Sequence, residues 1–413
     1  MSSFRRVVRW FRAEPRNVFD VLKYNDALCD FVGLNIYRYR GDRANGVVEL
    51  SAAKILNFLL MNVLLVVLMI VHANIPERFT SQFSSVIVSY GIRALLVGGV
   101  IGISLVNNLN SWNWKSIIKL VQRMHKLDIQ FQLMDHRIDH VGHRRQLLAG
   151  YSFALIALLA VVVGFNVTTI VFVDSRSESL RMVFGQIYFN LIFFTVVSMF
   201  LTLSYLISVR FKHLNDAIEL RFDTTNETFG EKDKTLQPSL PFPLPPFLAR
   251  ERIAIVQKFA DLHYQLNEIA EHVNRDYADK LLYSIMGSLQ FSAFNLFALL
   301  KILLNNIPQV RVFTFFNVLG SMMYTIMFMF VISRTRMIAR ESKQTATLLH
   351  KAINNETDEK LVRSMITFSR QVRYRSAAIG SKQIVFDWPF IFNSIAVLAS
   401  YFVILLQFDA AFG

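Results

Sequence analysis

Cysteine is nearly absent from this 413-residue chain. Cys29 stands alone, so no intrachain disulfide forms, and extracellular connections must be short or carried by helices. Glycine is scarce as well, at 16 residues against 37 phenylalanines. The glycine-rich phosphate loops of nucleotide enzymes therefore have little to be built from, and no Walker, Rossmann or kinase signature is found. Charged residues make up only 18%, below the roughly 25% of an average soluble chain. Apolar residues, at 53%, take their place and favour lipid as solvent. The amino-terminal string FRRVVRWFRAE is basic and amphipathic but has neither a continuous apolar stretch nor a small-residue cleavage site, so a cleaved signal peptide is not expected.

A spanning helix needs about 20 apolar residues to cross a hydrocarbon core roughly 30 Å thick. Seven stretches qualify, at 55–73, 84–107, 147–173, 183–209, 281–304, 312–333 and 388–408. The net charge of +14 then follows the membrane rather than a nucleic acid. Lys and Arg number 10 in residues 1–54, 7 in 108–146, 10 in 210–280 and 11 in 334–387, whereas the opposite side holds only Arg78, Arg176, Arg181 and Arg311. The rich side is cytosolic by the positive-inside rule. The expected fold is an all-α membrane protein of seven transmembrane helices, with the amino terminus in the cytosol and the carboxyl terminus outside. This divides the chain into a cytosolic segment (1–54), helices 1–6 (55–333), a cytosolic anchor region (334–387), a last helix (388–408) and an extracellular tail (409–413).

The cytosolic connections are patterned. Ile117, Leu120, Met124, Leu127, Phe131 and Met134 recur every three or four residues, as do Phe259, Leu262, Leu266, Ile269 and Val273, and again Leu361, Met365, Phe368 and Val372. Such narrow apolar seams fit a cytosolic helical bundle, within one subunit or between subunits, or spans that overrun into water and pack on one another. The polar run TTNETFGEKDK and the proline-rich PSLPFPLPP mark 223–249 as a mobile linker. His136, His140 and His143 have a spacing that puts three imidazoles on one helical face. The reading preferred over a metal site is a solvated helix end, since Asp135 and Asp139 fit a polar edge and Gly142 interrupts the helix. No metal or other cofactor is expected.

The last helix opens with FDWPF, where Asp387 can cap it and Pro389 falls in its first turn. Asn393, Ser400, Ile404 and Gln407 then share one stripe. Polar groups in hydrocarbon face either protein or a water-filled cavity, and the spacing leaves both open.

The terminal string ASYFVILLQFDAAFG resembles the carboxyl-terminal signature of insect gustatory receptors: Thr-Tyr, five apolar residues, Gln-Phe. Tyr401, the residues 402–406, Gln407 and Phe408 match it, and Ser400 replaces the usual threonine while keeping the hydroxyl. ARES at 339–342 and SAAIG at 376–380 also look like family sequence, and odorant receptors share the architecture with a looser tail. The resemblance implies a ligand-gated, non-selective cation channel, a tetramer whose central pore is lined by the last helix of each subunit, homomeric or heteromeric. It resides in the plasma membrane of chemosensory neurons. On that reading Ile404 and Phe408 form apolar gating rings, Gln407 offers its amide oxygen to a partly hydrated cation, and Asp409 concentrates cations at the outer mouth. The partners implied are a small organic tastant, monovalent cations with divalent ones as an alternative, further subunits and lipid, but no nucleic acid.

The resemblance also puts a ligand pocket in the outer halves of spans 2 to 6. Candidate lining residues there are Tyr90, Arg93, Asn166, Thr169, Gln186, Asn190, Phe291, Asn295, Asn317, Ser321 and Tyr324. The alternative for each is an interhelical hydrogen bond or packing. Arg93 stands out because a charge inside a span needs a partner, water or an interface. Two rivals are a secondary transporter, which calls for inverted repeats and broken spans, and a membrane-embedded enzyme, which calls for a catalytic cluster within the spans.

Three sequons, at Asn166, Asn226 and Asn355, test the orientation. The first falls in a span and the others on the cytosolic side, so glycosidase treatment of the expressed protein is expected to leave its mobility unchanged. Sugar on Asn226 or Asn355 would reverse the topology.

Overall fold

The computed structural model describes residues 14–40, 47–73, 114–172, 176–222, 246–304, 308–375, 377–381 and 384–412, with scattered helical residues between 90 and 109. Among these residues the order is α1 (Val18–Phe31), β1 (Tyr37–Arg40), β2 (Val47–Leu50), α2 (Ala52–Ala73), α3 (Trp114–Gln132), α4 (His140–Phe172), α5 (Arg176–Phe222), α6 (Pro246–Leu304), α7 (Pro308–Asn355), α8 (Glu359–Tyr374) and α9 (Trp388–Phe412). The antiparallel pair β1–β2, in register from Tyr37 opposite Leu50 to Arg40 opposite Val47, is an addition to the all-helical expectation. Part of the expected linker, 223–245, lies outside the described residues, as do Arg93 and Asn226. Residues 246–249 open α6 instead of belonging to a linker.

Short-range chemistry sets the helix ends. Asn17 caps α1 by accepting from the Asp20 amide (3.1 Å), Asp139 caps α4 by accepting from the Gly142 amide (2.9 Å), and Asp358 accepts from the Lys360 amide at the start of α8 (3.0 Å). Asp387 caps α9 as its position suggests, with the Phe390 amide at 3.0 Å. α6 and α7 each begin on a proline, where the missing amide hydrogen is no loss.

Among the described residues, five helices are long and apolar enough to cross a membrane: His140–Gly164, Asn190–Phe222, Arg250–Leu300, Val318–Asn355 and Trp388–Ala411. α5, α6 and α7 contain 47, 59 and 48 residues. At 1.5 Å per residue each runs about 70–90 Å, more than twice the hydrocarbon thickness, so each carries a long segment beyond the lipid.

Those extensions meet in one core. Leu120, Met124, Leu127 and Phe131 of α3, Leu262, Leu266, Ile269 and Val273 of α6, and Leu361, Met365 and Phe368 of α8 are buried together with Phe211, Leu214 and Ile218 of α5. The three seams therefore close on each other within a single chain.

At the centre of this packing sits a charge. Arg210 of α5 has no exposed surface, and Asp128 of α3 is 2% exposed. The guanidinium donates from Nε and Nη2 to the two carboxylate oxygens, both at 2.7 Å, and from Nη1 to the Leu206 carbonyl at 2.8 Å. His140 Nε2 of α4 lies 3.8 Å from the same carboxylate.

This corrects the reading of the histidine triplet. His140 and His143 are 6% and 8% exposed, so they do not form a solvated helix end. Gly142 belongs to the first turn of α4 rather than interrupting a helix, because the chain turns at Asp135 (φ 63°) and Asp139 restarts it. The restart points both imidazoles inward, where the His143 ring packs edge-on against Tyr205 and His213 of α5.

Breaking a buried pair strands the surviving charge at a cost of about 3–5 kcal/mol, whereas replacing both partners by apolar residues is close to neutral. Asp128→Ala is accordingly expected to lower the unfolding temperature in detergent sharply. Asp128→Leu combined with Arg210→Met should recover most of the loss, and equal melting of Asp128→Ala and wild type would show that the pair is not structural.

Candidate functional site

Two groups of the expected functional residues occupy separate parts of the fold. The first lies where α5, α6 and α7 cross in their apolar halves. The Tyr324 hydroxyl of α7 donates to the Asn190 side-chain oxygen of α5. Its ring meets Phe193 and Phe291 edge-on, with centroids 5.0 and 6.0 Å away. One turn earlier on α7, the Ser321 hydroxyl accepts from Asn295 Nδ2 of α6 at 3.0 Å. The structure thus brings together Asn190, Phe291, Asn295, Ser321 and Tyr324, and their polar groups are paired across helices. Buried amides and hydroxyls need such partners, and here they are set among aromatic rings.

Of the remaining pocket candidates, Tyr90 alone has a described side chain. Tyr90 is 68% exposed. Asn166 and Thr169 lie on α4, Gln186 on α5 and Asn317 on α7; their side chains fall outside the described residues. Gly164 explains how α4 comes close: a Cβ there would sit 2.1 Å from the Phe316 ring, so only a glycine admits that contact.

The second group lies on α9. None of the 18 residues in its most apolar stretch is buried, against 89% for the corresponding stretch of α5. The helix touches the rest of the chain along α6, where Phe402 meets Phe297 edge-on at 6.5 Å. Asn393, Ser400, Tyr401 and Gln407 are exposed, and Ile404 and Phe408 are 42% and 51% exposed. The Ser400 hydroxyl donates to its own helix, at the Ala396 carbonyl (3.0 Å). Asp409 is 6% exposed. The helix continues to Phe412, because DAAF holds good helix formers and no breaker, and so takes in most of the expected tail.

Residues that the sequence did not single out join the two groups. Thr335 of α7 and Asn274 of α6 grip the segment that leads into α9. Thr335 had a legible signal: it sits four residues after Val331 and three before Ile338, both fully buried, so it falls on an apolar seam.

The fold and these groups define a polytopic helical membrane protein with a helical bundle beyond its apolar halves and one helix whose apolar stretch holds no buried residue. The model of the 7tm Chemosensory receptor family matches residues 28–412, and the chain belongs to that family. This agrees with the carboxyl-terminal letters and displaces the enzyme reading. The putative gustatory receptor 28b of Drosophila melanogaster is 20% identical over 355 residues, which cover 82% of this chain and 74% of that protein. The olfactory receptor OR5 from Machilis hrabei shares the fold, with a TM-score of 0.65 at 12% identity over 94% of this chain and 98% of that one. Its structure in complex with eugenol gives 0.66 at 11% identity over the same shares.

Proposed function

We propose that the chain is a gustatory-type chemoreceptor subunit that works as a ligand-gated cation channel, spanning the plasma membrane seven times with its amino terminus inside. The observation that carries this is the uncovered α9. A helix with no buried residue in its apolar stretch can rest in lipid on its apolar side, but Asn393, Ser400 and Gln407 cannot do so without cost. They call for neighbours that a single chain does not supply. A ring of subunits supplies them, and four copies of the stripe then border a central water path.

In such a ring Ile404 and Phe408 narrow the path with apolar side chains that expel water when closed, and Gln407 presents an amide to the passing cation. Asp409, which follows them, is buried within the single chain.

The aromatic and amide group around Tyr324 is the proposed ligand site. Its walls suit a small organic molecule with one or two polar groups, the size class of the eugenol bound by the olfactory receptor of similar fold. A tastant carrying a hydroxyl or carbonyl would exchange hydrogen bonds with Asn190, Asn295 or Ser321. The gustatory branch is favoured by the Gln407–Phe408 ending and by the Drosophila relative.

The pore assignment has direct consequences for current. Phe408→Ala or Ile404→Ala is expected to raise the standing sodium current severalfold at equal surface expression, because a smaller ring dewets less readily. Gln407→Ala is expected to shift reversal potentials among monovalent cations. Unchanged leak in both apolar variants together with unchanged reversal potentials would remove α9 from the pore.

A further inference from the structure

The described residues between α8 and α9 are fastened at several points. As α8 ends, the Arg375 guanidinium donates from Nε and Nη2 to the two oxygens of Glu271 on α6, both at 2.7 Å, and stacks 4.4 Å above the Tyr264 ring. Ala377 and Ile379 are buried. The Gly380 amide then donates to the Asn274 side-chain oxygen of α6 at 2.8 Å. The chain doubles back so that the Phe386 amide donates to the Ile379 carbonyl at 3.2 Å. Gly380 admits no larger residue, since a Cβ would lie 2.4 Å from the Ile384 carbonyl oxygen.

The other jaw belongs to α7. Thr335 is 2% exposed, and its hydroxyl lies 2.9 Å from the Phe386 carbonyl and 2.8 Å from that of Ile332 in its own helix. One residue beyond Phe386, Asp387 caps α9. The root of the last helix is therefore held between Asn274 on α6 and Thr335 on α7.

The same two helices carry the group around Tyr324. Asn274 lies 17 residues from Phe291, about 26 Å along a continuous helix, and Thr335 lies 11 residues from Tyr324, about 17 Å. A helix without a break moves as a rod, so a change in spacing between α6 and α7 at one end reaches the other. We propose that Asn274 and Thr335 are positioning residues that form a clamp on residues 379–387 and pass relative movement of α6 and α7 to α9. This deepens the channel reading above and rests on it.

The test uses the Phe408→Ala background, in which the pore assignment gives a standing sodium current. In that background Asn274→Ala and Thr335→Val are each expected to change the current about fivefold at equal surface expression, the factor that one ordinary hydrogen bond is worth. Asn274→Asp keeps an acceptor and Thr335→Ser keeps a hydroxyl, so both should restore the Phe408→Ala value. Amide deuterium exchange across 379–387 provides a second readout: Asn274→Ala should accelerate it. Faster exchange with unchanged current would show that the contact holds the loop only and would overturn the clamp. If Ile404→Ala rather than Phe408→Ala gives the standing current, the same test is run in that background; absence of standing current in both, with unchanged reversal potentials in Gln407→Ala, would instead overturn the channel reading, and the clamp with it.

Discussion

A guanidinium cut off from solvent must be answered in full, and Arg210 is answered by both oxygens of Asp128 and by the Leu206 carbonyl. That requirement fixes α3 against α5 at one register. With α3 and α5 fixed, the seams of α6 and α8 have a single apolar face on which to close, and α4 enters with His140 beside the same carboxylate. The pair itself is not a large source of stability, because desolvating two charges offsets most of their attraction. Its effect is selective: any sliding of these helices separates the charges inside apolar surroundings.

Fixing the bundle has a consequence in the apolar halves of the same helices. α5, α6 and α7 run without a break from the bundle into their apolar halves, so the crossing at Asn190, Asn295 and Tyr324 inherits its geometry from the bundle. α9 adds no fully buried residue to that core and packs only Phe390 and Ile391 of its first turn against it. It is joined through a short, tightly bonded segment to α6 and α7 and left open along its polar stripe. A rigid scaffold with one sparsely buried element is what a two-state device needs, since motion can concentrate in an element with few buried contacts.

Much of this was legible in the sequence. The seams at 117–131, 259–273 and 361–372 are buried where their spacing put them, and Asp387 caps the last helix. The histidines were misread because a spacing of four and three describes a face without saying whether it points out or in; only the turn at Asp135 and the cap at Asp139 decide that. Asp128 was legible in principle, four residues beyond Met124 on a buried seam, but its partner lies 82 residues away on another helix. Asn274 was not legible at all, because its partner is a backbone amide, and backbone groups leave no letter in a sequence. The pocket candidates seen to meet are Asn190 on α5, Phe291 and Asn295 on α6, and Ser321 and Tyr324 on α7, each pair on one helix spaced three or four residues apart.

The central claim is that the stripe on α9 borders a water path. The chain suits a labelling measurement, because its one cysteine, Cys29, is buried and burial pushes its thiol well above the ordinary range, which leaves a silent background. Ser400→Cys and Gln407→Cys, treated from outside with a cationic thiol reagent during current recording, should both react and block sodium flow. Lack of reaction at both positions in resting and stimulated cells alike would mean that the stripe meets dry protein or lipid, and the channel account would fail.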